Sequence, residues 1–207
     1  MRERGGGSWQ VMKSDSTRFK GIPVKLFKTQ KVWETWLEKN HTESSGVWLR
    51  LAKKGSEIQS VAYSEGIEVA LCYGWIDGQK ERYDDSSWLQ KFTPRGARSI
   101  WSKINREKAQ DLIKSGRMKP AGLEAIENAR QNGRWEAAYD SPSGSTVPPD
   151  FQAALEKSPA ASAFFASINR ANRYAILFRI QTARKAETRA KRITGFISML
   201  EKKETLQ

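Results

Sequence analysis

The sequence has few of the side chains that build metal and nucleophilic sites. Its 207 residues include one cysteine, Cys72, and one histidine, His41. One of each cannot form a zinc or iron site of the usual kind, and no spacing links them as nucleophile and base. A single cysteine forms no intrachain disulfide, which fits a reducing compartment. We therefore expect a cytoplasmic protein without a metal or a cofactor.

Long apolar runs are also missing from the chain. No stretch approaches the ~18 apolar residues that indicate a transmembrane helix. The charged N-terminus has no apolar segment behind it, so it does not resemble a secretory signal. The sequence contains neither a Walker A motif nor a Gly-rich dinucleotide fingerprint. Gly5-Gly6-Gly7 has no preceding strand, and this run predicts a mobile tail rather than a phosphate-binding loop.

Positive charge is what the chain has in excess. Lysine and arginine number 36 against 23 acidic residues, which gives a net charge of +13. Residues 91–119 hold nine cations and two acids, and residues 170–192 hold eight cations and one acid. If both segments share one face, they attract a polyanion such as nucleic acid or anionic lipid, or an acidic protein. The competing interpretation is a set of solvated helix faces whose long side chains cover apolar surface.

The hydrophobic periodicity changes near residue 99. Before it, alternating patterns predict strands at residues 24–28, 47–52, 61–63 and 88–93. Two helices are predicted in the same region, with N-caps at Thr29 and Ser64. After it, apolar residues recur at helical spacing. The predicted class is therefore α+β, with a small N-terminal sheet and two helices followed by an all-α C-terminal helical bundle.

Composition predicts the domain boundaries. Polar, Gly-rich residues 1–21 are expected to form a flexible N-terminal arm, and residues 22–139 an α+β domain with trailing helices. Residues 140–149 are rich in Ser and Pro and predict a linker. Residues 150–207 are then the helical bundle domain. The predicted helix N-caps of the second half are Asn105, Asp150, Ser158 and Asn169.

Tryptophan and basic residues cluster in the middle of the chain. Tryptophan supplies flat contact area, and arginine supplies a planar fork that matches carboxylate or phosphate. We therefore predict a binding surface with a contact centre of Trp75, Trp101 and Arg95. The full set of predicted binding residues is Trp75, Asp77, Arg95, Arg98, Trp101, Lys103, Arg117, Arg134 and Trp135.

Several of these residues have a structural alternative or a second functional interpretation. Asp77 is suited to an Asx turn, or to a salt bridge with Arg95 that pins two strands. The group around Arg134 and Trp135 is equally typical of a packed hinge. A different hypothesis makes the chain an enzyme or small-molecule binder, with Asp77 as acid or base and Arg95 as an anion clamp. Spacing marks no second catalytic carboxylate or nucleophile. A third hypothesis is a scaffold that docks one protein partner.

Six short motifs occur in a fixed order, and together they carry a family resemblance. They are Leu71–Gly78, Phe92–Arg95, Trp101–Lys103, Gly116–Met118 with Ala121–Leu123, Gly133–Trp135 and Thr188–Ile193. With them the chain resembles the YdeI/OmpD-associated family, also called bacteriocin-protection proteins, over about residues 24–202. The sequence departs from the family pattern at Gly96, where a second basic residue is expected, and at Gly66, where an alanine is more usual.

The resemblance implies a stress-tolerance role connected with bacteriocins or cationic antimicrobial peptides. It implies no established reaction and no catalytic residue. A chain of net charge +13 repels cationic peptides, so any protection is expected to act indirectly, through regulation or an anionic partner. The favoured hypothesis is a non-enzymatic binding protein with a basic surface.

Overall fold

The computed structural model describes residues 17–206, and it is an α+β structure, as the sequence predicts. Its strands are β1 (Arg18–Phe19), β2 (Ile22–Lys25), β3 (Val47–Ala52), β4 (Trp75–Arg82) and β5 (Ser87–Pro94). Its helices are α1 (Gln30–Asn40), α2 (Tyr63–Cys72), α3 (Lys103–Lys114), α4 (Pro120–Gln131), α5 (Pro149–Glu156), α6 (Pro159–Ser167), α7 (Arg170–Gln181) and α8 (Ala186–Glu201).

The five strands form one sheet in the order β1-β2-β3-β5-β4. Strands β2 and β3 are parallel, and the other neighbours are antiparallel. Along β3, Val47, Leu49 and Leu51 alternate with Trp48 and Arg50. The first three pair with β5 residues Phe92, Gln90 and Trp88, so all six side chains lie on one face of the sheet. Helix α2 packs on this face, because the Phe92 ring and the Leu49 side chain both approach Gly66.

The predicted flexible arm is in part a β-hairpin. Its residues 1–16 lie outside the described part of the chain. Residues 18–23 pair across a two-residue turn in which Lys20 and Gly21 have φ values of 49° and 76°. Positive φ at both positions is the geometry of a type I′ turn, which matches the twist of a hairpin. The Phe19 ring packs edge-on against Trp48, and the Trp48 Nε1–H donates to the Phe19 carbonyl oxygen at 3.0 Å.

Three helix starts are predicted correctly, and each has a hydroxyl or amide side chain as a direct cap. The structure confirms Thr29, Ser158 and Asn169 as N-caps of α1, α6 and α7. The predicted strand at 61–63 and the predicted cap at Ser64 are wrong, because α2 begins at Tyr63. Here the Glu65 carboxylate accepts from the backbone N–H of Ala62 at 2.9 Å.

Two further predicted caps are one turn or less away from the actual helix start. Helix α3 begins after Ser102, whose hydroxyl accepts from the N–H of Asn105, so Asn105 lies inside the helix. Helix α5 begins at Pro149, and Asp150 is in its first turn. In both cases a good capping residue stands within three positions of the observed cap, and periodicity alone does not resolve such a shift.

The chain divides into two compact units. The sheet unit comprises the described residues up to Arg95 together with Lys119–Gly122, and the helical unit comprises residues 96–118 and 123–206. The division therefore falls near residue 96, whereas the sequence predicts a linker at 140–149. The predicted all-helical C-terminal bundle is seen only in part, because α3 and most of α4 belong to the same unit as α5 to α8.

Each unit has its own buried core. The helices α5 to α8 share an apolar cluster whose fully buried members include Phe151, Ala161, Ile176, Ile180 and Leu200. In the sheet unit, Trp33 and Leu37 of α1 are fully buried. The Trp33 ring lies 5.7 Å from that of Phe92, and its Nε1–H donates to the Gly66 carbonyl oxygen at 3.1 Å. The indole of Trp33 therefore connects α1, α2 and the sheet.

The predicted linker is anchored at its first residue. Tyr139 pairs with Ser102 in a short parallel bridge, and its ring packs edge-on against Phe178 at 4.9 Å. Asp140 exchanges two hydrogen bonds with the Gln181 side chain, and its carbonyl oxygen accepts from the Tyr174 hydroxyl at 3.0 Å. A segment held by α7 in this way is not a free connection between two domains.

Candidate functional site

The tryptophan at the predicted contact centre is a core residue. Trp75 is 1% exposed and opens the edge strand β4. Its Nε1–H donates to the His41 carbonyl oxygen at 3.2 Å, and its ring lies edge-on to Trp33 and Trp36. Trp75 is therefore a core residue of the sheet unit that offers little flat area to a ligand, and its predicted contact role stays a prediction.

Trp101 and Trp135 are buried as well, at 2% and 6% exposure. Their rings meet in a T-shaped pair with centroids 4.8 Å apart. The Arg106 guanidinium donates to the Trp135 carbonyl oxygen, and the Arg130 guanidinium lies 5.5 Å from the Trp135 ring centroid. Both tryptophans are therefore packed inside the helical unit, and their predicted binding role stays a prediction.

Asp77 and Arg95 lie near the same end of the sheet. Asp77 is half-buried on β4, and its carboxylate accepts a hydrogen bond from the Tyr63 hydroxyl at 2.7 Å. Arg95 follows β5, and its backbone N–H donates to the Gly74 carbonyl oxygen at 2.9 Å. The interpretation of these residues as an acid or base and an anion clamp stays a prediction.

The predicted basic residues belong to the helical unit, apart from Arg95. Arg98 and Arg117 are exposed, while Arg134 is half-buried. Lys103 is bound by an acid, because its ammonium lies 2.5 Å from the Asp140 carboxylate. Burial opposes ionisation of Asp140, but hydrogen bonds from Lys103 and Gln181 outweigh this effect and lower its pKa. The charge of Lys103 is therefore largely compensated.

The convergence of segments 91–119 and 170–192 on one face stays a prediction. The first segment is divided between the two units, whereas the second lies entirely in the helical unit. Within the second segment, six cations lie where α7 ends and α8 begins. One of them, Arg184, donates to the Asn132 carbonyl oxygen, and the other five form a cluster along the chain. We call this cluster the α7–α8 corner; it consists of Arg179, Lys185, Arg189, Lys191 and Arg192.

Two arginines of α8 hold this corner together. Arg189 binds the Asp150 carboxylate with two nitrogens, at 2.6 and 2.8 Å, and donates from a third to the Ile180 carbonyl oxygen at 2.9 Å. Arg192 donates to the Arg179 carbonyl oxygen. Both carbonyls belong to the last turn of α7, where backbone oxygens have no partner within the helix. The corner is therefore a fixed part of the fold.

The corner keeps most of its charge. Among the described residues, Arg189 is the one cation of the corner with a carboxylate partner, and Arg192 binds a neutral carbonyl. Arg179, Lys185 and Lys191 are exposed. The corner thus has five cations, and two acidic residues, Asp150 and Glu187, partly offset their charge. Arginine anchored by carbonyl oxygens remains charged, so the anchoring does not neutralise the corner.

A basic groove in the sheet unit was not predicted from the sequence. It has a volume of about 560 Å³ and is lined by Ala52, Lys53, Lys54, Lys80, Glu81, Arg82 and Trp88. We call it the Trp88 groove. The signal in the sequence was the alternation of Lys80 and Arg82 on a strand, which places both on one face. The sequence does not show that Arg82 pairs with Trp88, because this pairing depends on a bulge between β4 and β5.

A second groove lies along α1. It has a volume of about 330 Å³, and its lining is mainly apolar, with Phe27, Val32 and Trp36 between Lys31 and Lys39. Val32 is half exposed. Asp77 lines neither this groove nor the Trp88 groove.

The fold and these surfaces define a two-unit α+β protein with cationic surface clusters. Among the described residues there is no group of three or more potential metal ligands, and no helix is long and apolar enough to cross a membrane. Residues 145–203 match the family described as Bacteriocin-protection, YdeI or OmpD-Associated, so this segment is similar to that family. Residues 25–125 match a Domain of unknown function (DUF8412). No curated protein and no solved structure matches the chain.

These matches confirm the resemblance and show where it applies. The confirmed family stretch contains α5 to α8 and the motif Thr188–Ile193. Four of the other quoted motifs lie within the second match: Leu71–Gly78, Phe92–Arg95, Trp101–Lys103, and Gly116–Met118 with Ala121–Leu123. The α7–α8 corner therefore belongs to the stretch with the family match, and the Trp88 groove belongs to the stretch of unknown function.

Proposed function

We propose that this protein is a non-enzymatic binding protein whose α7–α8 corner holds nucleic acid. The observation that carries the proposal is the exposure of Arg179, Lys185 and Lys191 beside two arginines that are fixed by the last turn of α7. A cluster of cations on a rigid support binds phosphates with less loss of side-chain freedom than scattered lysines do.

The surroundings of the corner favour nucleic acid over a lipid surface. A protein that lies on a membrane normally inserts apolar side chains beneath the headgroups. Among the described residues, the large hydrophobic side chains that are exposed lie outside the segment 179–192. A polar, cationic surface without apolar side chains for insertion matches a phosphate backbone. Binding to anionic vesicles at the same affinity would contradict this choice.

The proposal is tested with a labelled 20-bp DNA duplex and fluorescence anisotropy in steps of salt. The corner variant replaces Arg179, Lys185 and Lys191 with glutamate. Since each phosphate contact contributes about 0.9 to the log–log slope of affinity against salt, we expect a slope that is shallower by about 2.7. Affinity at low salt should fall at least tenfold.

A matched control separates the corner from net charge. Lys28, Lys39 and Lys157 are also exposed, and their replacement with glutamate changes the net charge by the same amount. The control should lose less than a third of the slope that the corner variant loses. Equal losses in both variants, or no salt-dependent binding by the wild type, would overturn the proposal.

The family description connects relatives of this domain with bacteriocin protection. We propose that any such role here runs through an anionic partner, since a chain of net charge +13 repels cationic peptides. A cytoplasmic location is part of the same proposal and is supported by the single, buried Cys72. Cell fractionation with an antibody against the full chain tests it.

A further inference from the structure

We infer that the Trp88 groove is a second binding site, which takes a nucleotide by its phosphate and its base. The groove lies in the sheet unit and shares no residue with the α7–α8 corner. The inference about the groove can therefore be tested independently of the proposed function. Its volume of about 560 Å³ is within the range of roughly 300–1,000 Å³ that is typical of small-molecule sites.

Strand register places the lining side chains on one face of the sheet. Trp88 pairs with Leu51 on β3 and with Arg82 on β4, while Lys80 pairs with Gln90 two residues further along β5. Residues directly opposite each other, and those two apart along a strand, share a face. Trp88, Lys80 and Arg82 thus lie together on the face that α2 covers in part.

Helix α2 leaves this end of the face open. The helix begins at Tyr63, whose ring lies 5.6 Å from Trp88, and it then runs toward Cys72 and β4. Tyr63 is 38% exposed and Trp88 is half-buried. The groove therefore has the Trp88 ring in its lining, with the Tyr63 ring next to it.

The cations around these rings are available to an anion. The Lys80 ammonium lies over the Trp88 ring, 4.4 Å from its centroid, so a base that stacks there takes its place, and Lys54 is exposed. Lys53 donates to the Asp84 carbonyl oxygen at 2.7 Å, which fixes its position and leaves its charge. Arg82 contacts Asp85 at 3.5 Å, but both side chains are more than four-fifths exposed, so the pair is weak.

The acid in the lining does not cancel these charges. Glu81 pairs with Leu89, so its side chain projects toward the opposite face from Lys80 and Arg82. Its carboxylate is bound there by the Lys20 ammonium at 2.5 Å. Four cations thus line the groove together with Trp88, and the acidic lining residue has its own partner.

Aromatic side chains among cations indicate a ligand that is both flat and anionic. Bases stack on aromatic side chains, and phosphate oxygens bind lysine and arginine. Bare phosphate does not use the rings, and a nucleoside does not use the cations. A nucleotide uses both, whether it is free or part of a single-stranded nucleic acid.

The test measures binding to the full-length protein by isothermal titration calorimetry. The probes are adenosine 5′-monophosphate, adenosine, inorganic phosphate and a five-residue deoxyadenosine oligonucleotide. We expect the monophosphate to bind at least tenfold tighter than either adenosine or phosphate. Tighter binding of the oligonucleotide than of the monophosphate by the corner variant, in which the α7–α8 corner does not contribute, identifies single-stranded nucleic acid as the source, and equal binding identifies the free nucleotide. Equal binding of phosphate and monophosphate would overturn the inference, as would no binding of either nucleotide probe.

Variants locate the site and separate it from the corner. Lys54→Gln with Lys80→Gln should weaken nucleotide binding at least fivefold, and both changes are on exposed side chains that the fold tolerates. Lys28→Gln with Lys39→Gln is the matched control in the same unit and should change affinity less than twofold. The corner variant should keep nucleotide binding unchanged. If the control weakens nucleotide binding equally, only net charge matters, and the inference that the Trp88 groove is a binding site is overturned.

Discussion

At the scale of single residues, tryptophan shows why a binding surface is hard to predict from sequence. Trp75, Trp101 and Trp135 were predicted as contacts, yet all three are buried at or below 6% exposure. Trp88, which was predicted only as a strand residue, lines a groove with four cations. Tryptophan is enriched in cores and in interfaces for the same reason, its large apolar area. Its neighbours across the sheet decide between the two roles, and the sequence does not show them.

Gly46 offers a prediction at this scale because a close approach and its backbone both require glycine. Its φ is 150°, and an added Cβ would lie 2.9 Å from the Thr93 methyl and 3.1 Å from the Phe92 carbonyl oxygen. We expect Gly46→Ala to lower the free energy of unfolding by roughly 2–4 kcal/mol, from backbone strain and overpacking together. Urea denaturation of the purified protein measures this change.

Gly55→Ala is the control for Gly46. Gly55 also has a positive φ, 81°, but no atom lies within 4 Å of the position that an added Cβ would take. Only the backbone conformation is strained there, so we expect a loss of about 1 kcal/mol. If both variants lose the same stability, the contact with Thr93 has no energetic role.

At the scale of elements, strands and helices were predicted better than their ends. Strand β3 was predicted at residues 47–52 and is found there. Ser64 and Asn105 were predicted as caps, but Glu65 accepts from the N–H of Ala62 and Ser102 accepts from the N–H of Asn105. Apolar periodicity depends on an average over several residues, whereas a cap depends on one hydrogen bond. The existence of a helix or strand is therefore predicted more reliably than the residue that caps it. The bulge between Asp77 and Lys80 has no signal of its own beyond Gly78.

The end of α7 supports a prediction about Arg189. This side chain joins three elements, since it binds Asp150 of α5 and the last turn of α7 from its place on α8. A lysine cannot make the paired contact with the carboxylate and also reach the Ile180 carbonyl oxygen. We expect Arg189→Lys to lower the free energy of unfolding by about 1–2 kcal/mol at pH 7, measured by urea denaturation. Arg179→Lys, on an exposed side chain, should change it by less than about 0.5 kcal/mol.

The same pair predicts a dependence on pH. Hydrogen bonds from Arg189 lower the pKa of Asp150 below its usual value despite the opposing effect of burial. The pair therefore stabilises the fold fully above the unfolded pKa of about 3.9, and this contribution is lost as the pH falls through the folded pKa. Arg189→Lys should reduce the loss of stability between about pH 5 and acid conditions, measured by urea denaturation at each pH. An unchanged acid dependence would contradict the role of the pair.

At the scale of the whole molecule, the class of fold follows from sequence and the division into units does not. The change from alternating to helical periodicity near residue 99 predicts α+β, and the boundary of the sheet unit at Arg95 lies close to it. The Ser- and Pro-rich segment 140–149 suggested the main boundary instead. Asp140 is held there by Lys103, Gln181 and Tyr174, all of which are distant from it in the sequence. Such partners cannot be paired from a single sequence.

Net charge gives the last prediction, because it acts on the molecule as a whole. With a charge of +13, the protein should not bind a cationic amphipathic peptide directly, even in about 10 mM salt, where the Debye length is about 30 Å. A fluorescein-labelled peptide and anisotropy measure this. Adding the 20-bp duplex should recruit both molecules to one complex, since the duplex carries an excess of phosphates that both can share. Direct peptide binding without the duplex would show that a local acidic surface outweighs the net charge, and it would make sequestration the simpler route to protection.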